Sequence, residues 1–116
     1  MKIQITEIHL KDAKAKVYAQ EKVEKLAKFH SKIERITVRL FGEKAHRNQN
    51  HDFACEIDVA VRGNVLKIVD SERSIDKAID LATDRMKRAL VKHKEKRITK
   101  RHKEGLVYKI RSKFPF

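Results

Sequence analysis

The sequence contains no tryptophan, one cysteine, one proline and three glycines, and aromatic side chains make up only 6% of it. Each scarcity removes a class of protein. A single cysteine cannot build an intrachain disulfide framework. So few glycines and prolines leave no linker-rich or low-complexity stretch. No segment reaches the roughly 18 consecutive apolar residues of a membrane span, and no apolar stretch follows Met1 as in a secretory signal. A soluble, cytoplasmic protein is the expectation. At 116 residues with 41% apolar side chains, the chain can form one domain with a modest core.

Acidic residues are also scarce, but only in one part of the chain. Residues 1–84 hold 16 Lys/Arg and 14 Asp/Glu, a balance of +2; residues 85–116 hold 13 Lys/Arg against Glu95 and Glu104, a balance of +11. The net charge of +13 is therefore concentrated at one end of a nearly neutral body. Solubility is served by charge of either sign, so this asymmetry points to a polyanionic partner, nucleic acid before membrane surface.

Hydrophobic periodicity gives the architecture. "KIQITEI" (2–8) alternates and reads as a first strand. Asp12 can cap a helix from Ala13 to about His30, whose Ala15, Ala19, Val23 and Leu26 form one buried stripe. "ERITVRLF" (34–41) and "DFACEIDVAV" (52–61) return to period two, with Cys55 among the inward residues as a packing side chain. Gly63-Asn64 then gives a hairpin turn signal. In the next strand, from Val65 to about Asp70, Leu66/Ile68 and Val65/Val69 are equally acceptable inward sets. Ser71 or Ser74 caps a second helix whose buried face is Ile75, Ala78, Ile79, Ala82, Met86, Leu90 and His93. The expected fold is α+β, in the order β-α-β-β-β-α, a four-stranded sheet with both helices on one face. This folded domain would span 1–97 and be followed by a basic tail over 98–116, and the polar segment 42–51 would form a loop.

The charged faces carry the functional signal. Lys14, Lys22, Lys25, Lys28 and Lys32 fall within roughly a 120° arc of the first helix, away from its apolar stripe. Arg85, Arg88, Lys92, Lys96 and Lys103 fall within roughly an 80° arc of the second, and Lys87, Lys94 and Arg101 lie on the other flank of the core stripe. Like charges at i,i+4 destabilise a helix by a few tenths of a kcal/mol per pair, so stability alone does not favour this arrangement. Bound phosphates would offset the repulsion. With few aromatics and no aromatic strand motif, recognition by backbone and shape is expected over base stacking.

Catalytic signals are weaker. Asp76, Asp80 and Asp84 recur at four-residue spacing and could in principle hold a divalent metal for nucleic-acid processing. Acidic residues early in a helix are routine, however, because they suit the helix dipole. His9, His30, His46, His51, His93 and His102 show no close metal-ligand spacing, and there is no Gly-rich phosphate loop. No cofactor, no metal and no enzymatic activity are expected. A membrane-surface role is disfavoured because the apolar stripe is needed to cover the sheet.

Three segments resemble the bacterial ribosome hibernation promoting factor / ribosome-associated inhibitor family, also labelled sigma-54 modulation proteins: "MKIQIT" at the start, "YAQEKVEKLAKF" (18–29), and "AIDLATDRMKRALVKHKEK" (78–96). The resemblance implies a fold similar to a double-stranded-RNA-binding domain. It also implies a protein that binds 16S rRNA of the small ribosomal subunit, competes with tRNA and mRNA, and inhibits translation in stationary phase or stress. With the cationic faces, it gives Lys22, Lys25, Lys28, Arg85, Arg88, Lys92, Lys94, Lys96 and Arg97 as the expected RNA contacts. Long forms of the family add a dimerisation domain that this chain is too short to hold, so a short form, monomeric off the ribosome, is expected. A general structured-RNA-binding protein is the alternative.

Overall fold

The computed structural model describes residues 2–42 and 53–110, with side chains described through residue 94. Four strands, β1 (Lys2–Ile8), β2 (Ile33–Phe41), β3 (Phe53–Val61) and β4 (Asn64–Glu72), form one sheet in the order β1-β2-β3-β4. Helix α1 (Ala13–Glu24), extended by a 3₁₀ turn (Lys25–Phe29), connects β1 to β2, and α2 (Ile75–Ile110) follows β4. The expected β-α-β-β-β-α order is the one observed.

β1 pairs parallel with β2, which requires a crossover connection, and α1 supplies it. The remaining pairs are antiparallel and put Val38 opposite Ile57, Val59 opposite Leu66 and Ile57 opposite Ile68. This register settles the ambiguity in β4. Leu66 and Ile68 pack on the core, while Val65 and Val69 are exposed on the opposite face. The hairpin turn is Arg62-Gly63, one residue earlier than the sequence suggests. Val61 pairs with Asn64, and Gly63 takes the left-handed φ of 84° that glycine adopts without strain.

Local signals set the helix starts. Asp12 accepts a hydrogen bond from the Ala15 amide at 3.1 Å, and Ser74, rather than Ser71, accepts from the Lys77 amide at 3.2 Å. At the far end of β1, the Gly42 amide donates to the Ile8 carbonyl at 2.8 Å. A side chain at Gly42 would place Cβ 1.8 Å from the His9 carbonyl oxygen, so only glycine fits this approach.

One core lies between the sheet and both helices. Ala15, Ala19, Val23 and Leu26 from the first helical segment meet Ile36, Val38, Leu40, Cys55, Ile57 and Val59 from the sheet. Ile75, Ala78, Ile79, Ala82, Met86 and Leu90 of α2 complete it, and all are buried. Burying Ile79, Met86 and Leu90 contributes about 1.5–3 kcal/mol each. That exceeds the few tenths lost per like-charged i,i+4 pair, so α2 stays docked while carrying its cations. The backbone of α2 continues to Ile110, beyond the apolar stripe that marked its expected end near Lys96. Residues 97–104 contain no Gly or Pro to stop it. The alternation Leu106, Tyr108, Ile110 is carried on helical backbone and forms no strand. The expected loop over 42–51 lies outside the described residues except for Gly42, as do residues 111–116 of the expected tail.

Candidate nucleic-acid interface

Of the first-helix lysines, Lys22, Lys25 and Lys28 fall where α1 gives way to the 3₁₀ turn. Tighter winding there projects Lys25 and Lys28 from a short segment anchored by buried Leu26. α2 packs alongside, and between the two runs a groove of about 290 Å³ lined by Lys22, Lys25, Lys28, Leu26, Phe29, Asp80, Thr83, Asp84 and Lys87. Three of the expected RNA contacts, Lys22, Lys25 and Lys28, therefore share one concave surface.

The geometry of this groove is mixed in sign. Lys22 Nζ lies 3.4 Å from Asp80 Oδ1, which also accepts a hydrogen bond from the Tyr18 hydroxyl. That bond, then burial, then the charges of Asp80 and Asp76, push the Tyr18 phenol up to about 12. Lys87 Nζ sits over the Phe29 ring, 4.9 Å from its centroid, in cation–π range. Lys25 and Lys28 form no ion pair among the described residues and are exposed. Above the groove, Arg88 is 77% exposed and pairs with Asp84 at 2.9 Å.

The structure separates the two flanks of α2. Lys87 faces the 3₁₀ turn, and Lys94, seven residues on, continues that side and is exposed. Arg85 is on the other side, where its guanidinium pairs with Asp70 of β4. The Asp70 side chain is only 10% exposed, and its Oδ2 has no hydrogen-bond partner among the described residues. Arg85 is thus committed to neutralising a nearly buried carboxylate. Lys92, seven residues from Arg85, is exposed on that same flank. The side chains of Lys96 and Arg97 lie outside the described residues.

Lys87, Phe29 and Tyr18 stand outside the contacts that the sequence leads one to expect. Lys87 carried a usable signal, its seven-residue spacing from Lys94. Phe29 carried none, since an aromatic at the end of an amphipathic helix reads as core.

Of the groups that could serve the other candidate chemistries, Asp80 and Asp84 are found paired and Cys55 buried. Asp80 is held by Tyr18 and Lys22 and Asp84 by Arg88, and among the described residues no three His, Cys, Asp or Glu side chains converge on a common point. Cys55 is buried, and desolvation, followed by the charges of Asp70 and Glu56, pushes its thiol up to about 12. A thiol so protonated is a packing group. Two histidines meet at the end of the helical face: His30 Nε2 and His93 Nδ1 are 3.1 Å apart, and His30 Nδ1 accepts from the Lys32 amide at 3.0 Å. No helix among the described residues is long and apolar enough to cross a membrane.

Comparison with known proteins agrees with this architecture. The N-terminal domain of Thermus thermophilus Protein Y is 20% identical, with a TM-score of 0.65, over 80% of this chain and 99% of that one. A ribosomal subunit interface protein from Coxiella burnetii is 17% identical, with a TM-score of 0.66, over 82% of this chain and 99% of that one. At such identities the likeness establishes the shared fold. No curated protein sequence matches the chain significantly. The model of the family described as sigma 54 modulation protein / S30EA ribosomal protein matches residues 2–98. With the fold, the cationic helical face and this match together, the chain belongs to the ribosome-associated sigma 54 modulation protein / S30EA ribosomal protein family.

Proposed function

We propose that this protein is a hibernation-type translation inhibitor that binds the small ribosomal subunit through 16S rRNA phosphates. It occupies the channel that tRNA and mRNA would use and acts sterically in stationary phase or stress, with no bond made or broken. Lys25, Lys28, Lys87, Lys92 and Lys94 meet phosphates directly, joined by Lys22 and Arg88 once their surface ion pairs open and by Lys96 and Arg97 further along α2. Such exposed pairs are worth about 0–1 kcal/mol, so a phosphate can replace the carboxylate at little cost. Arg85 joins these contacts only if its pair with Asp70 opens, since the paired charges cancel at long range.

The observation that carries this reading is the convergence of Lys25, Lys28 and Lys87 on one groove, without carboxylate partners among the described residues. Family membership supports it, as does the likeness to a subunit interface protein. The test is co-sedimentation with purified small subunits over a salt series. Binding should weaken steeply, with log K falling by about 0.7–0.9 per log unit of salt for each phosphate engaged. Added tRNA should displace the protein. Salt-independent binding, or undiminished binding under saturating tRNA, would defeat the proposal; equal affinity for arbitrary duplex RNA would leave a general structured-RNA binder in its place.

A further inference from the structure

A surface built only to hold phosphates would not place carboxylates among its lysines, because they repel the same ligand. The groove does so twice, with Asp80 and Asp84 sharing its walls with Lys25 and Lys28. It also holds an aromatic ring, the partly exposed Phe29, close to buried Leu26. Phosphate recognition accounts for neither feature. Anionic, aromatic and N–H-donating parts occur together in a nucleotide.

We propose that the groove between the 3₁₀ turn and α2 receives one unpaired guanine nucleotide of the bound RNA. The inference rests on the RNA-binding reading above and names what the centre of that interface recognises. Three observations fit the assignment. The volume, about 290 Å³, is near the lower end of small-ligand sites, roughly 300 Å³. The Phe29 face is covered by an exposed cation, Lys87, so a base can take that face while Lys87 turns to its phosphate. The two carboxylates are only half used. Asp80 Oδ1 takes Tyr18 and Lys22, and Asp84 Oδ2 takes Arg88, which leaves Asp80 Oδ2 and Asp84 Oδ1 without a donor among the described residues.

Those remaining oxygens select among bases. Guanine presents two adjacent donors, N1–H and the N2 amino group, which Asp84 can take on its free Oδ1 and on the second lone pair of Oδ2, whose first holds Arg88. Uracil offers one N–H, and adenine and cytosine one exocyclic amino group. Lys25 and Lys28 line the same groove and are exposed, so they can meet the phosphates that flank the base.

The experiment measures binding of the full chain to three RNA hairpins that differ at one bulged position: guanosine, uridine or an abasic residue. Guanosine should bind about tenfold more tightly than the abasic hairpin, the scale of one base–aromatic stack. Uridine should fall between them. Phe29→Leu keeps an apolar side chain against the core and should remove the advantage of uridine over the abasic site, and shrink that of guanosine, without changing the salt slope. Asp84→Ala, at a half-exposed position, should remove the preference for guanosine over uridine and keep the advantage of a base. Equal affinity for all three hairpins, or a tenfold advantage that survives Phe29→Leu in a folded protein, would overturn the inference. Either result is compatible with salt-dependent, tRNA-sensitive binding to small subunits, so the groove assignment can fail while the proposed function stands. Loss of subunit binding with base preference intact would be the reverse.

Discussion

The two faces of this protein both carry basic residues, and they differ in how many of them are left without a carboxylate among the described residues. On the open face of the sheet, Arg39 bridges Glu56 at 3.0 Å and Asp58 at 3.1 Å, and Lys67 reaches Glu56 at 3.3 Å. These carboxylates are themselves only 16% and 19% exposed, so the cations there satisfy groups that the sheet has partly desolvated. On the helical face, Lys25, Lys28, Lys92 and Lys94 have no such partner among the described residues. The number of positive charges therefore says little about where a polyanion binds. On the proposed function, the interface is marked by charge left unneutralised on a rigid support.

The largest test of this difference compares changes on the two faces. Replacing Lys25, Lys28 and Lys87 together with alanine should weaken small-subunit binding by roughly a hundredfold. It should also lower the salt slope by about 2–3, since each phosphate that is no longer neutralised removes about 0.7–0.9. Lys67→Ala on the sheet face should change neither quantity measurably. Comparable losses from both variants would mean that net charge, and not its partnering, drives binding.

A smaller effect, read in stability, tests the sheet face. Arg39→Ala removes the shared partner of Glu56 and Asp58 and leaves two largely desolvated carboxylates side by side with Lys67 on Glu56 alone, and Asp58 Oδ1 is already buried and unbonded among the described residues. Denaturant unfolding should show a loss of about 1–3 kcal/mol, while RNA affinity at fixed salt stays within about twofold. Loss of binding with stability unchanged would move Arg39 from the structural to the RNA-contacting group.

The same distinction explains what could be read before the fold was known. Element order, the helix stripes and the Asp12 cap are local patterns, and each is visible in a short run of sequence. The inward set of β4 depends on pairing with β3. Val65 and Leu66 are equivalent until Val59 stands opposite Leu66. The charged faces were visible as angular clusters, but angle does not reveal a partner on another element. Arg85 and Lys92 share one flank, yet Asp70 claims only Arg85. Lys87 and Phe29 are far apart in the chain and come together only because both helices pack on one sheet face. Periodicity therefore locates a helix's outer surface, and tertiary contacts decide which of its residues remain available.

The smallest expected effect concerns the contact that ties α1 to α2 beside the groove. Tyr18 donates to Asp80, a carboxylate that the sheet-face logic would have given to an arginine and that here is shared between a phenol and Lys22. The hydrogen bond exists only while the phenol holds its proton, and ionising Tyr18 would set two negative charges together. Its pKa is therefore raised from 10.0 to about 12. A group whose folded pKa is raised contributes its stabilisation fully below the unfolded value and loses it as pH rises through the folded value. This contact should thus be constant through neutral pH and disappear between pH 10 and about 12. In a Tyr108→Phe background, where Tyr18 is the remaining tyrosine, phenolate absorbance should rise with a midpoint near 12, and Asp80→Asn should move that midpoint down toward 10. A midpoint near 10 in both proteins would mean that the α1–α2 tie is not made in solution. The groove walls would then be set by the apolar stripe alone, and Asp80 would face the bound RNA without the phenol that holds it in place.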